Sequence, residues 1–131
     1  FNDSNAAIEV EGAIGFNGEV VFSNTVESSS SISAAGGFFD TSDARVKANV
    51  KEIDASDADK VKLVEFDRTD KEHHGYGVIA QELEKVYPEM VNTDSEGFKS
   101  VNYNELAMVK IKYLEDKVAR LEALVGRLLA E

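Results

Sequence analysis

The residues best placed to do chemistry lie in "TSDARVK", residues 41 to 47, where a serine stands five positions before a lysine. A hydroxyl beside a lysine that has lost its proton is a nucleophile with its base, and its natural target is a carbonyl. Spacing alone does not make the pair. Five residues along a helix turn about 500°, and along a strand i and i+5 point to opposite sides, so the pair Ser42 and Lys47 needs a bend between them. The plain alternative is that Thr41 or Ser42 caps a helix over "DARVKANVKEI", with Asp43 in its first turn against the dipole.

Other candidates for chemistry fall away on spacing. Asp54, Asp57 and Asp59 in "DASDAD" lack the glycine and the distal glutamate of an EF-hand loop, and read as a solvated acidic turn. His73 and His74 are adjacent, so they do not share a face, and no third ligand has metal-site spacing; the pair reads as loop. "GYG" at 75 to 77 lacks the rest of a phosphate-binding fingerprint and reads as the opening of a strand or helix. No metal or other cofactor is expected.

The elements that must position Ser42 and Lys47 fall into three stretches. All 14 lysines and arginines lie at or after Arg45, whereas residues 1 to 41 hold six acids (Asp3, Glu9, Glu11, Glu19, Glu27 and Asp40). A break this sharp marks a boundary between two units. The first reads as β, with alternation over Ile8, Glu9, Val10 and Glu11, and a hairpin signal at Asn17-Gly18. Two strands do not make a stable sheet, so the segment is expected to pair with other chains or to end a fibrous stalk. Residues 42 to 103 read as a small mixed unit: a helix over 43 to 53, a strand at "VKLVEF", a helix over 78 to 86 stopped by Pro88, and a strand at "GFKSVNY".

From residue 104 the pattern is a heptad seam. Ile111, Leu114, Val118, Leu121, Val125 and Leu128 are separated by 3, 4, 3, 4 and 3. Leu124 and Leu129 at g and e widen the apolar face, as higher oligomers require, and two strands versus three stays open. A surface helix packed on its own domain is the competing reading.

Composition narrows the partners. A net charge of −11 argues against nucleic acid or an anionic membrane as partner, and the absence of cysteine removes disulfides, thiolate metal sites and thiol nucleophiles. No apolar run approaches the roughly 20 residues of a membrane helix, and the opening lacks the basic start of a signal peptide. Without an initiating Met the chain is expected to be part of something longer.

The order of motifs is itself distinctive: "TSDARVKANVKEI", then "YGVIAQELEKVYPEMV", then "EGFKSVNYNELAMVKIKYLEDKVARLEALV". From Ser42 to about Leu129 it resembles the C-terminal intramolecular chaperone domain of phage tail spikes, tail fibres, endosialidases and neck appendages, a self-cleaving module similar also to one in myelin regulatory factor. The specificity lies in the combination of S-D-x-R-x-K, G-V-I-A-Q-E-L-E and V-N-Y-N-E-L leading into a coiled coil. Val46 stands where the family usually has Leu, a conservative departure.

The resemblance implies an α+β architecture in which a β-strand stalk end (1–41) precedes the chaperone (42–131), itself a small α/β unit (42–103) and a coiled-coil helix (104–131), assembled as a homotrimer. It implies a single-turnover, cis-acting serine endopeptidase that drives folding of the stalk and then cuts between Thr41 and Ser42, with Ser42 as nucleophile, Lys47 as base, and Asp43 and Arg45 in support. Lys47 must shed its proton, which burial at an assembled interface or a nearby Arg45 would favour. The implied partners are two further copies and the upstream stalk of its own chain, with host glycan recognised only by upstream domains. The implied place is a virion tail appendage, assembled in the bacterial host cytoplasm, where the released fragment stays. The alternative is a trimerisation and adhesion module of a fibrous surface protein, in which Ser42 only caps and nothing is cut.

Overall fold

The computed structural model describes residue 8 and residues 10–131, in two compact units, Phe1–Val46 and Lys47–Glu131. The alternation at Ile8 to Glu11 thus lies partly outside the described residues, as do Asp3 and Glu9.

In the first unit, residues 10–41 form no helix or strand, and every described residue is exposed. The hairpin expected about Asn17-Gly18 does not close within the chain. Among the described residues of the unit no third strand or core buries its apolar residues, Phe16, Val20, Val21 and Phe22 among them, and a two-stranded ribbon alone is marginal in water. Gly37 adopts φ +88° in a turn where its N–H donates to Ala34 O (3.3 Å), a conformation suited to glycine.

The helix expected over 43 to 53 is also absent. Only a single 3-10 turn forms, Ala44–Val46. Asn49 then takes φ +54°, which no helix accommodates, and the β-branched Val46 and Val50 are exposed, so no burial offsets their poor helix propensity. A cap at Thr41 or Ser42 therefore has no α-helix to serve.

The second unit is α+β. Strands β1 (Val64–Asp67) and β2 (His74–Gly77) pair antiparallel with Val64 opposite Gly77 and Asp67 opposite His74. His74 is therefore a strand residue, not loop. Across the hairpin its Nδ1 lies 2.7 Å from Asp67 Oδ1. Helix α1 (Ala80–Glu84) is short because the chain tightens into a 3-10 turn at Pro88–Met90. Strands β3 (Val91–Thr93) and β4 (Lys99–Val101) form the second antiparallel pair, closed by Asp94, whose Oδ1 accepts from the N–H groups of Glu96 and Phe98 (2.9 Å each).

Helix α2 (Tyr103–Ala130) starts at Asn102, whose Oδ1 accepts from Glu105 N–H (3.1 Å). Its first turns complete the core. Leu106 and Val109 pack with Ala55, Ala58, Val61, Val78, Leu83 and Met90, with Tyr113 against them. Lys110 crosses the gap and donates to the carbonyls of Ala58 (2.7 Å) and Val61 (2.5 Å), satisfying the end of the 3-10 turn Ala58–Lys60. Among the described residues no helix is long and apolar enough to cross a membrane.

Candidate functional site

Around Ser42 the backbone is organised by Asp43. Its Oδ1 accepts from Arg45 N–H (2.9 Å), and its carboxylate takes a two-pronged grip from the Arg45 guanidinium, Nε to Oδ1 at 3.0 Å and Nη2 to Oδ2 at 2.8 Å. The Arg45 side chain, with its backbone N–H second, holds the Asp43 carboxyl below the usual carboxylate range, and Asp43 raises Arg45 in turn. The two expected supporting residues are thus brought together. Val46 N–H donates to Asp43 O (3.2 Å), so the motif is an aspartate-anchored turn.

Thr41, Ser42, Asp43 and Arg45 belong to the first unit, and Lys47 opens the second. All are exposed. The one-turn helical step from Ser42 to Lys47 that a capped helix would give does not exist, because the helix does not.

The acidic stretch before the core is a turn. Asp54 Oδ1 accepts from Ser56 N–H (3.0 Å), and Ser56 holds the Asp54 carboxyl below its ordinary value. Asp57 pairs with Lys60 (2.6 Å).

The six seam residues lie on α2 as the spacing requires, and each is half exposed or more, from Ile111 at 50% to Leu128 at 69%. The residues with which α2 joins its own core, Leu106, Val109 and Tyr113, occupy c and f positions. At 100° per residue the c/f face lies about 160° from the a/d face. The helix therefore packs on its domain with one side and presents the seam on the other, which removes the reading of the stripe as the buried face of a surface helix.

What the sequence did not mark is the wedge where the β1–β2 hairpin meets α2. Leu63 and Tyr76 on one wall face Tyr103, Ala107, Ile111 and Leu114 on the other, enclosing an apolar groove of about 720 Å³. Its helical wall is the start of the seam.

Residues 42–92 match the family model described as chaperone of endosialidase, a peptidase family by its name. No curated protein matches the chain. The match starts at Ser42, where the charge break and the S-D-x-R-x-K motif also begin, and it runs through α1 to β3; residues 42–92 are thus similar to the chaperone-of-endosialidase family.

Proposed function

We propose that residues 42–131 act as an intramolecular chaperone that holds three copies of the chain in register while the preceding stalk segment folds, and then cuts the chain between Thr41 and Ser42. The observation that carries this reading is the exposed a/d seam on the face of α2 opposite its own core. Six seam residues left to water are a cost that association removes, at roughly 25 cal/mol per Å² of apolar surface buried. The stalk segment has the matching need: exposed apolar side chains and, among the described residues of its unit, no partner strand. Pairing strands across chains is slow because association and loop closure precede the favourable contacts, and a trimer preformed at one end shortens that search.

The cutting step proceeds as an N-to-O acyl shift followed by hydrolysis. Ser42 Oγ attacks the Thr41 carbonyl carbon as Lys47 takes the hydroxyl proton. The new ester C–O bond forms, the Thr41–Ser42 C–N bond breaks, and the proton passes to the freed Ser42 amine. Water then adds to the ester, giving a Thr41 carboxylate and restoring the Ser42 hydroxyl. Arg45, locked onto Asp43, has its charge neutralised locally and is a poor agent for driving the proton from a lysine. Desolvation on assembly is left to do it, since Lys47 is exposed in the single chain. This order makes cutting wait for assembly.

Mass spectrometry of freshly expressed, assembled chain tests the reading. Fragments ending at Thr41 and starting at Ser42 are expected, with only intact chain from Ser42→Ala and Lys47→Ala. An assembled wild-type chain that keeps a single intact mass would instead support the non-cleaving trimerisation and adhesion module, and equal cutting in Lys47→Ala would remove the base.

A further inference from the structure

We infer that the groove between the β1–β2 hairpin and α2 is a socket for the α2 helix of a second copy, aligned parallel and in register, with Met108 of the neighbour seated in it. The inference rests on the self-assembly proposed above and says how the copies meet.

Extending the heptad back from Ile111 puts Ala107 at d, Met108 at e, and Tyr103 and Lys110 at g. The groove thus lies on the g flank of the seam, lined by Tyr103, Lys110, Ala107 and the hairpin residues Leu63 and Tyr76. Met108 lies on the opposite, e flank, and is 58% exposed. A chain cannot fill its own groove with its own Met108, because the seam lies between them. In a parallel, in-register coil the g flank of each helix faces the e flank of the next, and a g residue meets the e residue five positions further along its neighbour. Five beyond Tyr103 is Met108. A flexible thioether suits an irregular aromatic-walled socket, and Ala107 at d leaves room for it.

The charges select the same arrangement. Lys117 is at g and Glu122, five further on, is at e. Parallel, in-register packing sets Lys117 of one copy beside Glu122 of the next. Antiparallel packing would oppose lysine to lysine and glutamate to glutamate. One heptad later the same relation joins Leu124 at g to Leu129 at e, both exposed and both apolar. Lys110 at g is committed to the Ala58 and Val61 carbonyls, so its level of the interface is left to the groove. The contact is head-to-tail around an axis, and it closes as a ring.

The chain contains no cysteine, so introduced ones are unique. Full-length chain carrying both Leu63→Cys and Met108→Cys, treated with a short bismaleimide, is expected to give inter-chain dimer and trimer bands on a denaturing gel, with Tyr76→Cys plus Met108→Cys behaving alike. Each single variant gives far less. Sedimentation of the untreated protein separates the two ideas. An oligomer without the 63–108 or 76–108 cross-link overturns the socket and leaves the chaperone reading standing, whereas a chain that stays monomeric overturns both. Charge exchange covers the case in which a cysteine pair misfolds. Lys117→Glu and Glu122→Lys singly should each weaken association roughly fivefold, and the double exchange should restore it; no restoration overturns the parallel register.

Discussion

The hydroxyl of Tyr103, the first residue of α2, lies too close to Gly77 for a Cβ there, with the ring carbon Cζ only 2.9 Å from where that Cβ would be. The same hydroxyl accepts from Val78 N–H at 3.2 Å, so the end of β2 and the start of α2 are tied at one spot. Gly77→Ala is expected to destabilise the second unit by about 1–3 kcal/mol, since a packed phenol and a strand must both shift. Gly77→Ala with Tyr103→Phe should recover part of that loss, because the clash with oxygen goes while the Val78 N–H loses its acceptor. Urea denaturation of the four proteins checks this; a Gly77→Ala chain as stable as the parent would show that the contact is not tight.

A second tie joins α2 to the acidic turn through Lys110. Lys110→Met keeps the stem but leaves the carbonyl of buried Val61 without its donor, while that of Ala58 keeps only the Val61 N–H (3.3 Å). The expected cost is about 1–3 kcal/mol. Burial holds the Lys110 ammonium below the ordinary lysine value. Between its folded value and the ordinary value of about 10.4 the unfolded chain binds more protons, so the stability from Lys110 rises as pH rises through that window. The neutral amine still donates to both carbonyls. The melting-temperature gap between parent and Lys110→Met should therefore widen as pH rises toward the ordinary lysine value of about 10.4, and a gap that narrows would reverse the sign.

The β3–β4 turn carries its own signature, Asp94 accepting from two backbone N–H groups and Gly97 at φ +88°. Gly97→Ala should cost about 1 kcal/mol, and Gly97→Asn less, because asparagine tolerates the left-handed region better. Thermal melts that rank alanine above asparagine would contradict the backbone argument.

How far the sequence spoke depended on where each residue's partner lies. Helix α2 was legible throughout, because its periodicity is written by two faces at once: Leu106 and Val109 turn inward, and the seam from Ile111 to Leu128 turns outward. The helix expected over 78 to 86 forms only over Ala80–Glu84, and Pro88 opens a separate 3-10 turn after it. The β1–β2 hairpin was half seen, because its loop, held by Arg68 gripping Asp70 and by Arg68 N–H donating to His73 O, has no Asn-Gly or Asp-Gly at its tip. The helix read over 43 to 53 was an error of pattern. Val46, Val50 and Ile53 fall at helical spacing but meet no core, and an apolar face without a surface to bury it is not a reason to form a helix. At the candidate site, the residue types around Ser42 were legible and the Asp43–Arg45 grip was not, since an aspartate two residues before an arginine suits a turn and a helix start equally well.

The opposition of the two faces of α2 gives the sharpest separation of folding from assembly. Leu83→Ala removes a side chain with no exposed surface from the core and should cost about 2–5 kcal/mol of stability in the second unit. Leu121→Asp changes a side chain that is 52% exposed on the single chain and lies far along α2 from Leu106 and Val109. It should leave the fold of that unit unchanged, as read by hydrogen exchange at Leu83 and Met90. In an assembly it would bury a carboxylate in the seam of every copy, a cost of several kcal/mol per ion. Sedimentation should then find Leu121→Asp monomeric at concentrations where the parent is assembled. If cutting waits for assembly, the same variant should also keep its Thr41–Ser42 bond, although that bond lies nowhere near residue 121 in sequence. A Leu121→Asp chain that is monomeric yet fully cut would separate the seam from the processing step and leave Ser42 and Lys47 acting within one chain.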